Sequence, residues 1–330
     1  MTRPNLLRRL LLAAGTSSAA LSLAPRLARA AAFPSRPVRI VVPYSVGVGP
    51  DVVARTVGEQ LQARWGQPVI VDNKPGASGI VAFNEVRTAA ADGHTLFVGD
   101  TGSLAVNPLI HASLPYDVER DLAPVTTLFR ATFVIQVGAD SRFKSMRALL
   151  DEARRAPGTV SYGSFGNGHP SHVAVESLAR AAGVQFLHVP FKDGGSLMQA
   201  IARNDVDFTP LGMNTVLGLV QAGKLRPLAV AARRRLPDWP QVPTLAEDGA
   251  PMVEMRPWAA LVALAGTPAP LLAQLHADVT AALKSTAVVS RIEAAGFEIA
   301  PNTPAELRAL IAQDAAEYGV LVKEGRVRKA

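Results

Sequence analysis

The chain has 330 residues, 48% of them hydrophobic and only 18% charged, which excludes a disordered or collagenous polymer and supplies apolar surface for a sizeable core, at a length of about two domains. It contains no cysteine, so disulfide frameworks, thiolate nucleophiles and cysteine-held zinc or iron–sulfur sites are excluded. Five arginines (Arg3, Arg8, Arg9, Arg26 and Arg29) and no acid fall in the first 30 residues; 34 basic residues less those five leaves 29 against 27 acidic, so the net charge of +7 is no argument for a nucleic-acid partner.

In chain order, residues 1–30 form an export signal: the basic pair Arg8-Arg9, an apolar stretch over 10–24, and Ala28-Arg29-Ala30 as a small-x-small cleavage site. The arginine pair suits ordinary secretion and the twin-arginine route equally. The apolar stretch is shorter than the roughly 20 residues a bilayer span requires, and no cysteine stands at the cleavage point to carry a lipid. The mature protein is therefore expected to be periplasmic and soluble, without an anchor.

Beyond Phe33, β-rich runs alternate with amphipathic ones. The pattern predicts strands over 38–42, 69–72 and 95–99 with helices over 51–65 and 80–91 between them, a β-α-β-α-β unit whose apolar strands point to a parallel sheet covered on both faces. It weakens over 115–124 and resumes with a strand at 132–137. A second set follows: helices over 145–156, 171–182, 196–204 and 214–222, interleaved with strands over 160–164, 185–189, 207–211 and 225–231. Residues 233–249 read as a surface loop, 258–265 as a strand, and 268–284, 287–295 and 304–323 as helices, two of them opened by Thr-Pro pairs. The fold class is α/β, in two lobes with a mostly parallel sheet in each.

Several motifs suggest chemistry and then lack a part. Gly47-Val48-Gly49-Pro50-Asp51-Val52 follows a strand, opens a helix and is followed by Asp72 at the end of the next strand, half of a dinucleotide fingerprint, but Val52 stands where the third glycine belongs. An exported oxidoreductase holding a nucleotide at Gly47–Asp51 is the alternative function this leaves. Gly218–Lys224 has phosphate-loop spacing with Leu225 where a magnesium-binding hydroxyl is needed. His169 and His172 have H-x-x-H spacing interrupted by Pro170, with Glu176 as the single further ligand nearby, too little for zinc. No G-x-S-x-G occurs. Neither catalytic residue, metal nor cofactor is implied, and the expectation is a protein that is not an enzyme.

What recurs is a small, polar turn after successive strands: 44–51, 75–79, 100–103, 164–172, 192–196 and 212–215. In an open α/β sheet such turns gather at the carboxyl ends of the strands, and those that open helices aim backbone N–H groups into the crevice, where they can hold a small anion.

The sequence resembles the periplasmic solute receptors of tripartite tricarboxylate transporters, the Bug-type receptors. The matching segments run from Phe33-Pro34-Ser35-Arg36-Pro37-Val38-Arg39 through Val42-Pro43-Tyr44, Asn73-Lys74-Pro75-Gly76-Ala77-Ser78-Gly79, Asp92-Gly93-His94-Thr95-Leu96, Gly166-Asn167-Gly168 with Ser171-His172, and His188-Val189-Pro190-Phe191-Lys192 to Ala265-Gly266-Thr267-Pro268. The resemblance implies a Venus-flytrap binding protein of type II with two interlobe crossings: a first lobe of residues 31–130 and 256–330 around a second lobe of 131–255. It implies a small organic acid as ligand (a di- or tricarboxylate, an amino acid or an aromatic carboxylate), with membrane permease subunits or a sensor protein as partner. Carried onto this chain, the ligand-binding residues are Tyr44, Gly47, Val48 and Asp51; Gly76, Ala77, Ser78 and Gly79; Thr101 and Ser103; Ser164, Gly166, Asn167, Gly168 and Ser171; Phe191 and Lys192; and Leu211 and Met213. The chain departs from the family where Val48 replaces a second glycine, where Asp193 follows Lys192 in place of glycine, and where Leu211 replaces an aspartate.

Overall fold

The computed structural model describes residues 33–329; the signal segment and its cleavage site lie outside them. A six-stranded sheet has the order β11-β4-β10-β3-β1-β2, built from β1 (Val38–Val42), β2 (Val69–Asn73), β3 (Thr95–Asp100), β4 (Leu122–Ala131), β10 (Trp258–Leu264) and β11 (Phe297–Ile299). β1 runs parallel to β2 and β3, as the alternating pattern requires, whereas β4, β10 and β11 pair antiparallel. The sheet is thus mixed rather than mostly parallel. The return of the chain as β10 inserts a strand of opposite sense between β3 and β4.

Helix α1 (Gly49–Trp65) covers this sheet from the β1–β2 connection. Its apolar positions Val53, Val57 and Leu61 recur at helical spacing and are fully buried, and Gly66 ends it in the left-handed conformation. α2 (Ile80–Val86) is shorter than the sequence pattern predicts, ending before Thr88. After β3 the backbone makes a π-helical turn, Thr101–Val106, which continues into α3 (Asn107–Ile110). α4 (Val118–Asp121) leads directly into β4.

The second lobe holds β5 (Phe133–Gly138), β6 (Ser161–Ser164), β7 (Leu187–Pro190), β8 (Thr209–Gly212) and β9 (Leu225–Val230). β5 pairs antiparallel with β8 and β9; β6 pairs parallel with β7 and reaches β8 through a bridge between Tyr162 and Phe208. Here too the pairing is mixed. α5 (Met146–Arg155), whose N-cap Ser145 accepts from the Ala148 amide, and α6 (Pro170–Ala182) bury one face of this layer around Tyr162, Phe208 and Met146. α7 (Gly194–Ala202) and α8 (Met213–Gln221) bury the other around Val134, Leu197 and Val230.

The segments 131–133 and 255–257 are hydrogen-bonded to each other: the Ala131 amide donates to the Pro257 carbonyl at 2.8 Å and the Phe133 amide to the Met255 carbonyl at 3.0 Å. α9 (Ala269–Leu283), α10 (Thr286–Ala294) and α11 (Pro304–Lys323) follow β10. The last of these opens with a reciprocal cap between Thr303 and Glu306 and runs beside α6, where Leu321 and Val327 close an apolar cluster with Val106, Ile110 and Val173.

Candidate functional site

Five of the six predicted turns follow strands of parallel pairs, and the sixth follows β8, which pairs antiparallel with β5 and meets β6 in parallel sense through the bridge at Phe208. In the first lobe, the loop after β1 is folded around Asp51. This carboxylate is buried, and it accepts from the Gly47 amide (2.8 Å), the Asn73 side chain (2.8 Å) and the Arg55 guanidinium (2.9 Å). Burial pushes its carboxyl up, but the hydrogen bonds from Arg55, Gly47 and Asn73 outweigh this and hold it below the ordinary carboxylate range. Asn73 also donates to the Tyr44 carbonyl at 2.9 Å, tying the β1 and β2 loops together.

The β2 loop turns through Ala77 and Ser78, both at positive φ (45° and 49°) without being glycine, a strained geometry characteristic of ligand clamps. Asn107 pins it by donating to the Ser78 carbonyl at 2.8 Å. The π-turn after β3 is capped by Asp100, whose carboxylate accepts from both the amide and the hydroxyl of Ser103 at 2.7 Å. The Tyr44 hydroxyl donates to the other oxygen of Asp100, and burial together with that carboxylate pushes the Tyr44 phenol well above its ordinary value. π-turns of this kind recur at functional sites.

In the second lobe, the loop Ser164–Gly168 is held at both ends by histidines. His188 Nε2 lies 2.6 Å from the Ser164 hydroxyl, and His172 Nδ1 accepts from the Gly168 amide at 3.1 Å. The two imidazoles stack at 4.1 Å, and the His188 ring stacks on Tyr162 at 5.0 Å. Burial pushes His172 down to about 3 and His188 to about 4, so both are neutral at neutral pH, and His172 accepts through Nδ1. His169 is the N-cap of α6, accepting from the Ser171 amide through Nδ1, and burial lowers it to about 4.

The two sets of loops meet. The rings of Tyr44 and His169 stand 6.5 Å apart, edge to face, and a side chain at Gly102 would touch Pro170 at 3.3 Å and the Gly168 carbonyl at 3.5 Å.

The carried-over residues have different surroundings in the structure. Ser103, Ser164 and Ser171 are fully buried, with hydroxyls bonded inside their own loops or to the histidines, and Thr101 accepts from the Trp258 amide. Leu211 and Met213 are buried in the second-lobe core, the Met213 sulfur receiving the Gln136 amide. The Asn167 side chain donates to the Arg328 carbonyl at 2.8 Å, fastening the segment after α11 to the loop. Val48 and Lys192 are exposed and Phe191 is half-buried. Sequence reasoning passed over Asn73 and Asn107, and weighed His169 and His172 only as metal ligands. The local signal was His169-Pro170 directly before a helix, a cap followed by a first-turn proline. Among the described residues no cluster of metal-ligating side chains occurs.

Residues 53–326 match the model of the tripartite tricarboxylate transporter family receptor. The chain belongs to that receptor family. It is 31% identical to Protein BugT of Bordetella pertussis over 88% of this chain and 90% of that protein. Among solved structures, Rpa4515 of R. palustris with adipate superposes with a TM-score of 0.81 at 30% identity, covering 88% of this chain and 97% of the other. MatC of Rhodopseudomonas palustris with bound malate gives 0.79 at 29% identity, covering 88% and 100%. The fold is thus the two-lobed periplasmic binding-protein fold, and the chain is a solute-binding receptor of the Bug type. The nucleotide-binding oxidoreductase reading finds no support. Its candidate ribose-binding acid, Asp72, is instead paired with Arg39 at 3.3 Å and Lys74 at 3.9 Å. Among the described residues, no helix is long and apolar enough to cross a membrane.

Proposed function

We propose that this receptor captures a small organic carboxylate between a lobe of residues 31–130 and 256–330 and a lobe of 131–255, without chemistry of its own, and presents it to a membrane permease or a sensor protein. The supporting observation is the approach of turns from the two parts of the chain, with the rings of Tyr44 and His169 6.5 Å apart and Gly102 beside Pro170 and the Gly168 carbonyl. α1 begins at Val48 and α8 at Gly212, neither with a side-chain cap, and an uncapped helix start can offer amides to an anion; in α1 Pro50 has no amide and the Asp51 amide already donates to the Val48 carbonyl, which leaves the Gly49 amide for that role. Similar receptors that hold adipate and malate support the same ligand class.

Export with removal of residues 1–30 and no lipid anchor completes the reading, and places the receptor free in the periplasm. Native mass spectrometry of the exported protein tests it. A co-purified or added carboxylate such as adipate or malate should bind one to one and raise the melting temperature. Release of a nicotinamide or flavin would refute it.

A further inference from the structure

The acids and several hydroxyls of the loops are committed to partners within the chain, whereas Lys192 and Asp193 are exposed. Asp51 is satisfied by Gly47, Asn73 and Arg55, and Asp100 by Tyr44 and Ser103. Neither acid is left to pair with a ligand ammonium. The Tyr44 hydroxyl is committed to Asp100, and the Asn167 amide to the Arg328 carbonyl.

Ring surface spans the approach between the two sets of loops. Phe165 meets His169 edge to face at 5.0 Å, and His169 meets Tyr44 at 6.5 Å, a ladder of three rings spanning both lobes. At the end of β1, Val46 is 71% exposed and Val48 43% exposed, the two most open aliphatic side chains of this loop. Such surface gains from being covered by something apolar. A hydroxyl or ammonium carried into the same place gives up its water and finds few partners, which costs at least about tenfold in affinity.

Resting on the carboxylate reading above, we propose that the ligand's body is apolar: a carboxylate carrying a ring or a methylene chain and neither hydroxyl nor ammonium groups, seated against the rings of Tyr44, His169 and Phe165.

Calorimetry on the mature receptor with benzoate, adipate, malate, aspartate and benzamide tests this. Benzoate and adipate should bind at least about tenfold more tightly than malate and aspartate. His169→Asn keeps an oxygen acceptor for the Ser171 amide while deleting the ring; it should weaken benzoate by about threefold to tenfold and weaken malate by a smaller factor. Phe165→Leu, which stays apolar, should weaken benzoate in the same sense and guards against a folding defect in the first variant. Tightest binding of malate or aspartate overturns the apolar body and leaves the carboxylate reading standing. Binding of benzamide with none of the four carboxylates overturns the carboxylate reading on which the proposal rests.

Discussion

Gly168 is where the second-lobe loop backs into the first lobe, and replacing it by alanine has a cost that can be worked out. Its φ is +75°, and a Cβ there would stand 2.5 Å from Ile110 Cδ1 and 3.3 Å from Val106 Cγ1. Both neighbours are buried, Ile110 at 1% exposure and Val106 at 0%, so neither can swing out into solvent. A left-handed backbone costs a non-glycine residue about 1–2 kcal/mol, and overpacking a filled core costs about 1–3 kcal/mol. Gly168→Ala should therefore lose about 2–5 kcal/mol. Gly166 has φ +116° with nothing within 4 Å of its would-be Cβ, so Gly166→Ala should lose only its backbone part, about 1–3 kcal/mol. Gly168 is carried over from the resemblance as a ligand-binding residue, and its amide bond to His172 and the contact with Ile110 give it a packing role as well. Urea unfolding of the ligand-free variants, read as a change in midpoint at constant slope, measures the difference. Ile110→Val removes the clashing Cδ1 at a cost of about 0.5–1.5 kcal/mol by itself, so the double variant should be more stable than additivity predicts by at least about 1 kcal/mol. Gly168→Ala within about 0.5 kcal/mol of wild type, or strict additivity with Ile110→Val, would refute the packing account.

The remaining expectations concern the histidines, the first loop and the signal. His172 accepts through Nδ1, and an asparagine oxygen sits near that position whereas a glutamine oxygen sits near Nε2; amide exchange at Gly168 should stay slow in His172→Asn and accelerate in His172→Gln, and the reverse order would assign the bond wrongly. Because the folded values of His172 and His188 are depressed to about 3 and about 4, the unfolded chain binds more protons below about pH 6.5, so these groups make stability fall as pH drops from about 6.5 toward 4. Asp314, raised to about 6 by burial despite the Trp258 donor, opposes that slope, so the test is the difference between wild type and His172→Asn in melts from pH 4 to 8, with the variant less acid-sensitive. Val48→Gly should keep or broaden carboxylate binding in a calorimetric panel, since it removes a half-exposed side chain from the uncapped start of α1; complete loss would mean that Val48 itself packs on the ligand. N-terminal sequencing of the exported protein should begin at residue 31, and a chain retaining Met1 would remove the signal assignment.

The sequence is most legible where one physical rule acts alone. Val53, Val57 and Leu61 declare the buried stripe of α1, and Thr303-Pro304 with Glu306 declares the start of α11, because helical spacing and capping are local. β4 was not legible: Pro124, Thr126, Thr127 and Arg130 interrupt its alternation, and the strand exists because β10 returns on one side and β11 on the other. The three-residue β11 is below the reach of any periodicity. The sense of pairing is hidden for the same reason, since neighbours such as β3 and β10 are more than 150 residues apart in the chain. The turns of the site were visible as small, polar stretches after strands, but the directions of their side chains were not. Ser103, Ser164 and Ser171 look like ligand donors in the sequence and are consumed by bonds within or behind the loops.

That inward use of polar groups bears on how the site binds. A loop whose hydroxyls and carboxylates are satisfied by its own residues needs little further ordering when a ligand arrives, and less ordering leaves more of the contact energy as affinity. The β1 loop is organised by Asp51, the π-turn by Asp100, and the second-lobe loop by His172 and His188. Asp51, Asp100 and His172 lie on the helix or strand that borders their own loop and His188 on the neighbouring strand β7, while Asn167 ties the second-lobe loop to the Arg328 carbonyl. The glycines at 102 and 168 let the two backbones approach without a side chain between them, and the rings of Tyr44, His169 and Phe165 form a continuous contact beside that approach. Selectivity for the body of the ligand should accordingly change with substitutions of those rings, and the integrity of each half-site with substitutions of the buried acids and histidines behind them.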